Sequence, residues 1–228
     1  MTLFTMARPW AWAVVCLTAA QAAVAAPDLT LEVAHRMVAL TPDGTKRTAE
    51  FTETVERQAN TVWVARVIPP GFHREDEHKA GNVKSHKHAD LSAASRWITR
   101  EKDGKVKLKL VAPHDKVIVD VAQAEFSTVG FDGSWPAAYH LIDPTVLKKL
   151  EPGEKQGELQ WYQTKGSKTP ELRILWNPML EIPMSVETRN PQGTSLRSTT
   201  VKVIAQSSKS PWNNLKGYAS KDYSDFLD

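Results

Sequence analysis

A segment between residues 69 and 90 concentrates side chains that bind metals. It holds four of the seven histidines of the chain, with carboxylates between them. Neutral imidazole is a good ligand for zinc, copper and nickel, and a His-x-His pair in extended backbone places both rings on one side. The alternative interpretation is a solvated, charged connection between two strands. The pattern predicts copper or zinc as the bound ion and these ligands: His73, His78, His86 and His88.

Tryptophans form a second group of candidate functional residues. Burial of each ring removes roughly 150–250 Å² of surface from water, so a place in the hydrophobic core is one interpretation of them. The other interpretation is a concave face of the sheet that binds an apolar ligand. The tryptophans that lie in strand-like segments, and that we predict to contact such a ligand, are Trp63, Trp161 and Trp176.

Motifs for the common catalytic mechanisms are missing from the sequence. There is no Gly-x-Ser-x-Gly elbow and no glycine-rich phosphate loop after a strand. Residues 74–78 are similar to the inverted zinc-protease signature His-x-x-Glu-His, but Arg74 occupies the first ligand position and arginine cannot bind zinc. The sequence therefore predicts a binding protein that is not an enzyme.

The first 25 residues have the pattern of a signal peptide. Arg8 precedes a short apolar run, and Ala23-x-Ala25 is the small-x-small pattern that signal peptidase recognises. The apolar run is shorter than the about 20 residues that a membrane-spanning helix needs. We expect residues 1–25 to be removed, so that Cys16, the single cysteine, is lost. A cysteine-free exported domain over residues 26–228 is typical of the Gram-negative periplasm.

The charge and hydropathy of the chain argue against nucleic acid as a partner and against a membrane-spanning segment. The formal net charge of the full chain is +3, and basic and acidic residues are interspersed. No basic stripe of the kind that binds nucleic acid is present. Because no later segment is long and apolar enough to cross a bilayer, we expect no transmembrane segment in the mature chain.

Alternation with a period of two dominates residues 26–228 and predicts strands. Asp103-Gly104 is a two-residue hairpin signal that lies between two such segments. Turn residues at short intervals predict a mainly β fold, a curved antiparallel sheet or incomplete barrel of about ten strands. In the first segment, one face carries Leu29, Leu31, Val33, Met37 and Ala39.

Short helices are expected beside this sheet, one to three in number. The clearest start signal is Asp143, which can accept hydrogen bonds from the first turn, followed by Pro144 at the first helical position. Residues 151–153 are predicted to end this helix. It is too short to be stable alone and must pack on the sheet.

The hairpin pattern, the exported cysteine-free chain and the C-terminal layout resemble the family of periplasmic lipoprotein-sorting carriers. The C-terminal layout consists of residues 181–188, a turn, residues 195–206 and a terminal segment at 218–223. The resemblance implies an incomplete antiparallel barrel, closed on one side by short helices, that holds acyl chains. It favours a carrier that binds an apolar ligand or lipid on the concave sheet face; metal binding by residues 69–90 is the alternative.

Overall fold

The computed structural model describes residues 26–69, 91–166, 171–205 and 210–226. The predicted signal peptide, residues 1–25, lies outside these ranges. Residues 70–90, which carry the four histidines of the predicted metal site, lie outside them as well. The described residues therefore cover most of the predicted β-rich domain.

Twelve strands form one sheet within the described part of the chain. The first six are β1 (Leu29–Leu40), β2 (Lys46–Gln58), β3 (Thr61–Val67), β4 (Ser95–Arg100), β5 (Val106–Ala112) and β6 (Val117–Val121). The next six are β7 (Glu151–Gln156), β8 (Leu159–Gln163), β9 (Glu171–Asn177), β10 (Ile182–Arg189), β11 (Ser195–Ala205) and β12 (Ala219–Asp222).

The sheet is curved and open, as the sequence predicts. Its strand order is β12-β6-β5-β4-β3-β2-β1-β11-β10-β9-β8-β7, so β12 and β7 are the two edges. Neighbouring strands are antiparallel, except that β12 pairs with β6 in parallel. The last strand reaches β6 because the chain crosses from β11 to the far edge of the sheet.

Strand β7 corrects one detail of the sequence analysis. Residues 151–153 follow the end of the short helix, as predicted, and they also begin a strand that pairs with β8, which the sequence analysis does not predict. Pro152 lacks a backbone donor for a second neighbour, and β7 is an edge strand where none is needed. The register also shifts between Pro152 and Lys155. The edge position therefore explains why the proline is tolerated.

One face of the sheet carries most of the hydrophobic core, and we call it the inner face. In β1 it contains Leu29, Leu31 and Val33, which are 1–2% exposed. Their neighbours across the register include Val55 on β2, and Val62 on β3 continues the row. Because side chains alternate along a strand, this periodicity assigns every second residue to the inner face.

The hairpin between β4 and β5 lies where the Asp103-Gly104 signal predicts it, but its turn is longer than two residues, because Glu101 N–H donates to Lys105 O across the turn. Gly104 has a φ of 87°, which glycine adopts without the steric cost that a Cβ would bring. The Asp103 carboxylate accepts a hydrogen bond from the backbone N–H of Lys105. Beyond this turn, Leu108 and Leu110 are buried at 1% and 5% exposure on the inner face.

Short helical segments pack beside the sheet. Helix α1 (Trp135–His140) begins after Ser134, whose side chain accepts a hydrogen bond from Ala137 N–H. The segment predicted from Asp143 is a 3-10 helix, Pro144–Lys149, and the Asp143 carboxylate accepts from Thr145 N–H as expected. Further 3-10 turns lie at Leu91–Ala93, Gln123–Glu125, Pro211–Asn214 and Tyr223–Phe226. Among the described helices, none has the length and apolar character needed to cross a bilayer.

Arg57 at the end of β2 is fully buried and links three separate segments of the chain. Its guanidinium donates to Pro27 O at 2.9 Å, Leu180 O at 2.8 Å and Tyr139 O at 3.3 Å. The guanidinium carbon also lies 4.6 Å from the centre of the Tyr139 ring. Burial lowers the pKa of Arg57 below its ordinary value, and Tyr139 and Glu181 oppose that change.

We predict that Arg57→Met lowers the free energy of unfolding by about 3 kcal/mol, because buried carbonyls lose their donors. Urea unfolding followed by circular dichroism measures this change. Arg100→Met is the matched control, since Arg100 also lies over an aromatic ring of α1 but is exposed. An Arg57 variant no less stable than the Arg100 variant would contradict the assigned role.

Candidate ligand-binding site

A cavity of about 580 Å³ opens on the inner face of the sheet. Its apolar floor consists of Phe51 on β2, Val64 on β3 and Leu110 on β5. The volume falls within the roughly 300–1,000 Å³ that is common for small-molecule sites. Neighbouring strands of the curved sheet, each contributing inward side chains, therefore form a concave surface.

Short connecting segments cover this floor. Leu91 and Ala94, just before β4, line one side, and residues 128–130 line another. The turn over 128–130 is held in place because Phe126 and Phe131 are buried and their rings lie 5.1 Å apart. Tyr223, near the end of the chain, completes the lining. We call the space between floor and cover the inner-face cavity.

A charged network lies at the cavity wall. Glu53 on β2 uses one carboxylate oxygen for His35 Nε2 at 3.2 Å and the other for Arg96 Nη2 at 3.1 Å. The second ring nitrogen of His35 lies 3.1 Å from Thr199 Oγ1. Both Glu53 oxygens thus have partners, and the Glu53 side chain is only 19% exposed.

The network keeps Glu53 ionised. Burial alone raises the pKa of the Glu53 carboxyl, because a less polar environment disfavours its charge. The hydrogen bond from His35 and the positive charges of Arg96 and Arg66 outweigh burial, so the pKa lies below its ordinary value. At neutral pH this side chain is therefore a carboxylate, held by a hydrogen bond to His35 and an ion pair with Arg96.

Arg66 has a different arrangement from Arg96. Its guanidinium carbon lies 4.1 Å from the centre of the Phe51 ring, and Arg66 is exposed to solvent. His35 stacks on the same phenyl ring with the ring centres 4.6 Å apart. Phe51 therefore joins the apolar floor to two basic side chains at the cavity wall.

The three predicted tryptophans do not line this cavity in the described structure. Trp63 pairs with Trp97 across β3 and β4, and it alternates with Val62 and Val64, so it lies on the outer face. Trp161 also lies on the outer face, 4.7 Å from the Arg173 guanidinium carbon.

Trp176 lies on β9 and is 7% exposed. Three strands separate β9 from β2, which carries much of the cavity wall. The tertiary structure therefore does not bring Trp63, Trp161 and Trp176 together into one site.

The predicted metal ligands cannot be placed in the same way. His73, His78, His86 and His88 lie outside the described residues, so metal binding there stays a prediction. Within the part of the chain that the structure describes, no three histidine, cysteine or acidic side chains converge on a metal position.

Sequence reasoning missed the charged network, although one signal for it was present. The inward-facing row of β1 is apolar on both sides of His35, between Val33 and Met37. A histidine in such a row indicates a polar contact within an otherwise apolar face. Its partner Glu53 lies in a strand whose polar, threonine-rich sequence gives no clear inward side.

We predict that Glu53→Gln lowers the free energy of unfolding by about 2 kcal/mol at pH 7, because the partly buried Arg96 loses its ion-pair partner and His35 loses a hydrogen-bond partner. Since the folded-state pKa of Glu53 is lowered, this contribution is present above pH 4.5 and is lost as pH falls through the folded-state value. Urea denaturation at pH 7 and pH 3 measures both effects.

Glu50→Gln is the matched control for this measurement. Glu50 lies on the same strand and pairs with Arg36, but the two side chains are 63% and 53% exposed. An exposed pair contributes only about 0–1 kcal/mol. Equal losses in the two variants at pH 7 would show that the Glu53 network is not a stabilising feature.

Comparisons with known proteins give structural likenesses only. No family model and no curated protein matches the chain. PNGF-II is 13% identical with a TM-score of 0.39, over 87% of this chain and 33% of that chain, so this chain spans a third of its length.

Two further likenesses are of similar size to this chain. A LolA superfamily protein from Nitrosomonas europaea is 10% identical over 85% of this chain and 91% of that chain, with a TM-score of 0.34. A putative outer membrane lipoprotein-sorting protein domain from Vibrio parahaemolyticus is 9% identical over 82% and 89%, with a TM-score of 0.32. The structures similar to this chain thus include lipoprotein-sorting proteins, as the sequence predicted.

Proposed function

We propose that this chain is an exported, periplasmic carrier that binds an apolar chain, such as a lipid acyl chain, in the inner-face cavity. The observation that carries this proposal is the cavity of about 580 Å³ over an apolar floor of Phe51, Val64 and Leu110. Each methylene transferred from water to such a surface contributes about 0.8 kcal/mol. An alkyl chain is therefore a ligand that suits this floor.

The chemistry of the cavity supports binding rather than catalysis. A general base works best when its pKa lies near the working pH. Glu53 has a pKa below its ordinary value, and both its oxygens are held by His35 and Arg96. This carboxylate is thus poorly suited to accept a proton from a substrate, and its partners give it a structural role.

Metal binding by residues 69–90 remains the alternative function. Because neutral imidazole is the ligand, His86→Ala combined with His88→Ala should sharply reduce copper or zinc affinity. Titration calorimetry measures the affinity, and thermal unfolding of the metal-free protein should be almost unchanged. Equal metal affinity in parent and double variant would end this alternative.

We predict that Thr128→Trp weakens binding of the neutral probe N-phenyl-1-naphthylamine at least tenfold. Thr128 is exposed on the cover and lines the cavity, so a larger side chain there fills ligand space without entering the sheet. Probe emission during titration measures the affinity, and thermal unfolding checks the fold.

Ser127→Trp is the matched control, because Ser127 is the exposed neighbour of Thr128 and is not part of the described lining. It should bind the probe as the parent does. If the parent does not bind the probe, or if both variants bind it equally well, the cavity is not the ligand site. Lipid extraction of protein purified from its own periplasm would then identify what the protein carries.

A further inference from the structure

We propose that the ligand is an anionic single-chain amphiphile, whose head group pairs with Arg66 at the rim of the inner-face cavity. This inference rests on the proposed function, because it specifies the ligand of the same cavity. Its chemical class is a long-chain carboxylate or a similar alkyl anion.

Arg66 is placed to meet a head group at the boundary with water. It follows Val64 by two residues on the inner face of β3, a distance of about 7 Å along a strand. Val64 belongs to the apolar floor, whereas Arg66 is exposed. A chain lying on Val64 therefore has its polar end near the guanidinium of Arg66.

The guanidinium of Arg66 is oriented by stacking and keeps its donors at its edges. It lies 4.1 Å from the Phe51 ring centre, and stacked guanidinium groups present N–H donors in their own plane. Glu53, the nearby carboxylate, directs its two oxygens to His35 and Arg96. Arg66 therefore contributes charge to this wall while its edge remains suited to a bidentate anion.

The charge balance of the cavity wall favours an anion. Among the described lining residues, Arg66 and Arg96 carry two positive charges and Glu53 carries one negative charge, so these three side chains have a net charge of +1. A bound carboxylate would bring this to zero. The low-polarity floor strengthens such a pairing relative to water, and the same field disfavours a cationic head group.

The volume of the cavity suits one chain. At about 580 Å³, the cavity is large enough for one alkyl chain. A single-chain amphiphile lying on its floor leaves the head group at the rim.

Calorimetric titration at pH 7.5 with three ligands of equal chain length tests the inference. The ligands are dodecanoate, 1-dodecanol and dodecyltrimethylammonium, all below their aggregation concentrations. We expect the parent protein to bind dodecanoate about tenfold more tightly than dodecanol, and the cation most weakly. In Arg66→Gln, dodecanoate binding should weaken about tenfold while dodecanol binding stays unchanged.

Arg36→Gln is the control, since it removes the same charge from the outer face of β1, which β2 separates from β3. It should leave all three affinities unchanged. Equal binding of dodecanoate and dodecanol by the parent would overturn the role of Arg66 but keep the proposed function. Equal weakening of both ligands in Arg66→Gln would also overturn it, whereas no binding of any ligand would overturn the proposed function itself.

Discussion

The buried guanidinium of Arg57 is the interaction on which the rest of the described structure depends. It holds carbonyl groups from the segment before β1, from α1 and from the turn between β9 and β10. These segments are far apart in sequence and belong to opposite halves of the sheet. Because a buried charge is costly unless its donors are satisfied, the three segments must converge for Arg57 to be buried.

The inner face of β2 runs from the buried Arg57 to the inner-face cavity. From Arg57 the inward positions are Val55, Glu53 and Phe51, which change from a core contact to the cavity wall. Six residues of strand span about 20 Å, enough to separate the buried link from the cavity. The same strand thus carries the buried Arg57 at one end and lines the inner-face cavity at the other.

The polar groups of the cavity explain how an apolar binding surface can contain charges. Glu53 compensates two neighbouring cations, and its own burial is compensated by them. Such a network restricts the side chains to one arrangement and leaves the floor free for apolar contacts. Arg66 is the cation that stacks on Phe51, and in our proposal this position gives the cavity its preference for an anion.

The sequence by itself determined the class of the fold and the positions of some of its turns and helix starts. The alternating residues of β1, the Asp103-Gly104 hairpin and the Asp143 cap follow from short-range geometry, so they were predictable. The site was not, because His35, Glu53, Arg66 and Arg96 come from four strands and meet only through register. The faces of Trp63 and Trp161 were also decided by register, since a shift of one residue exchanges inner and outer sides. Contacts between strands distant in sequence depend on the whole sheet, and the tertiary structure alone supplies them.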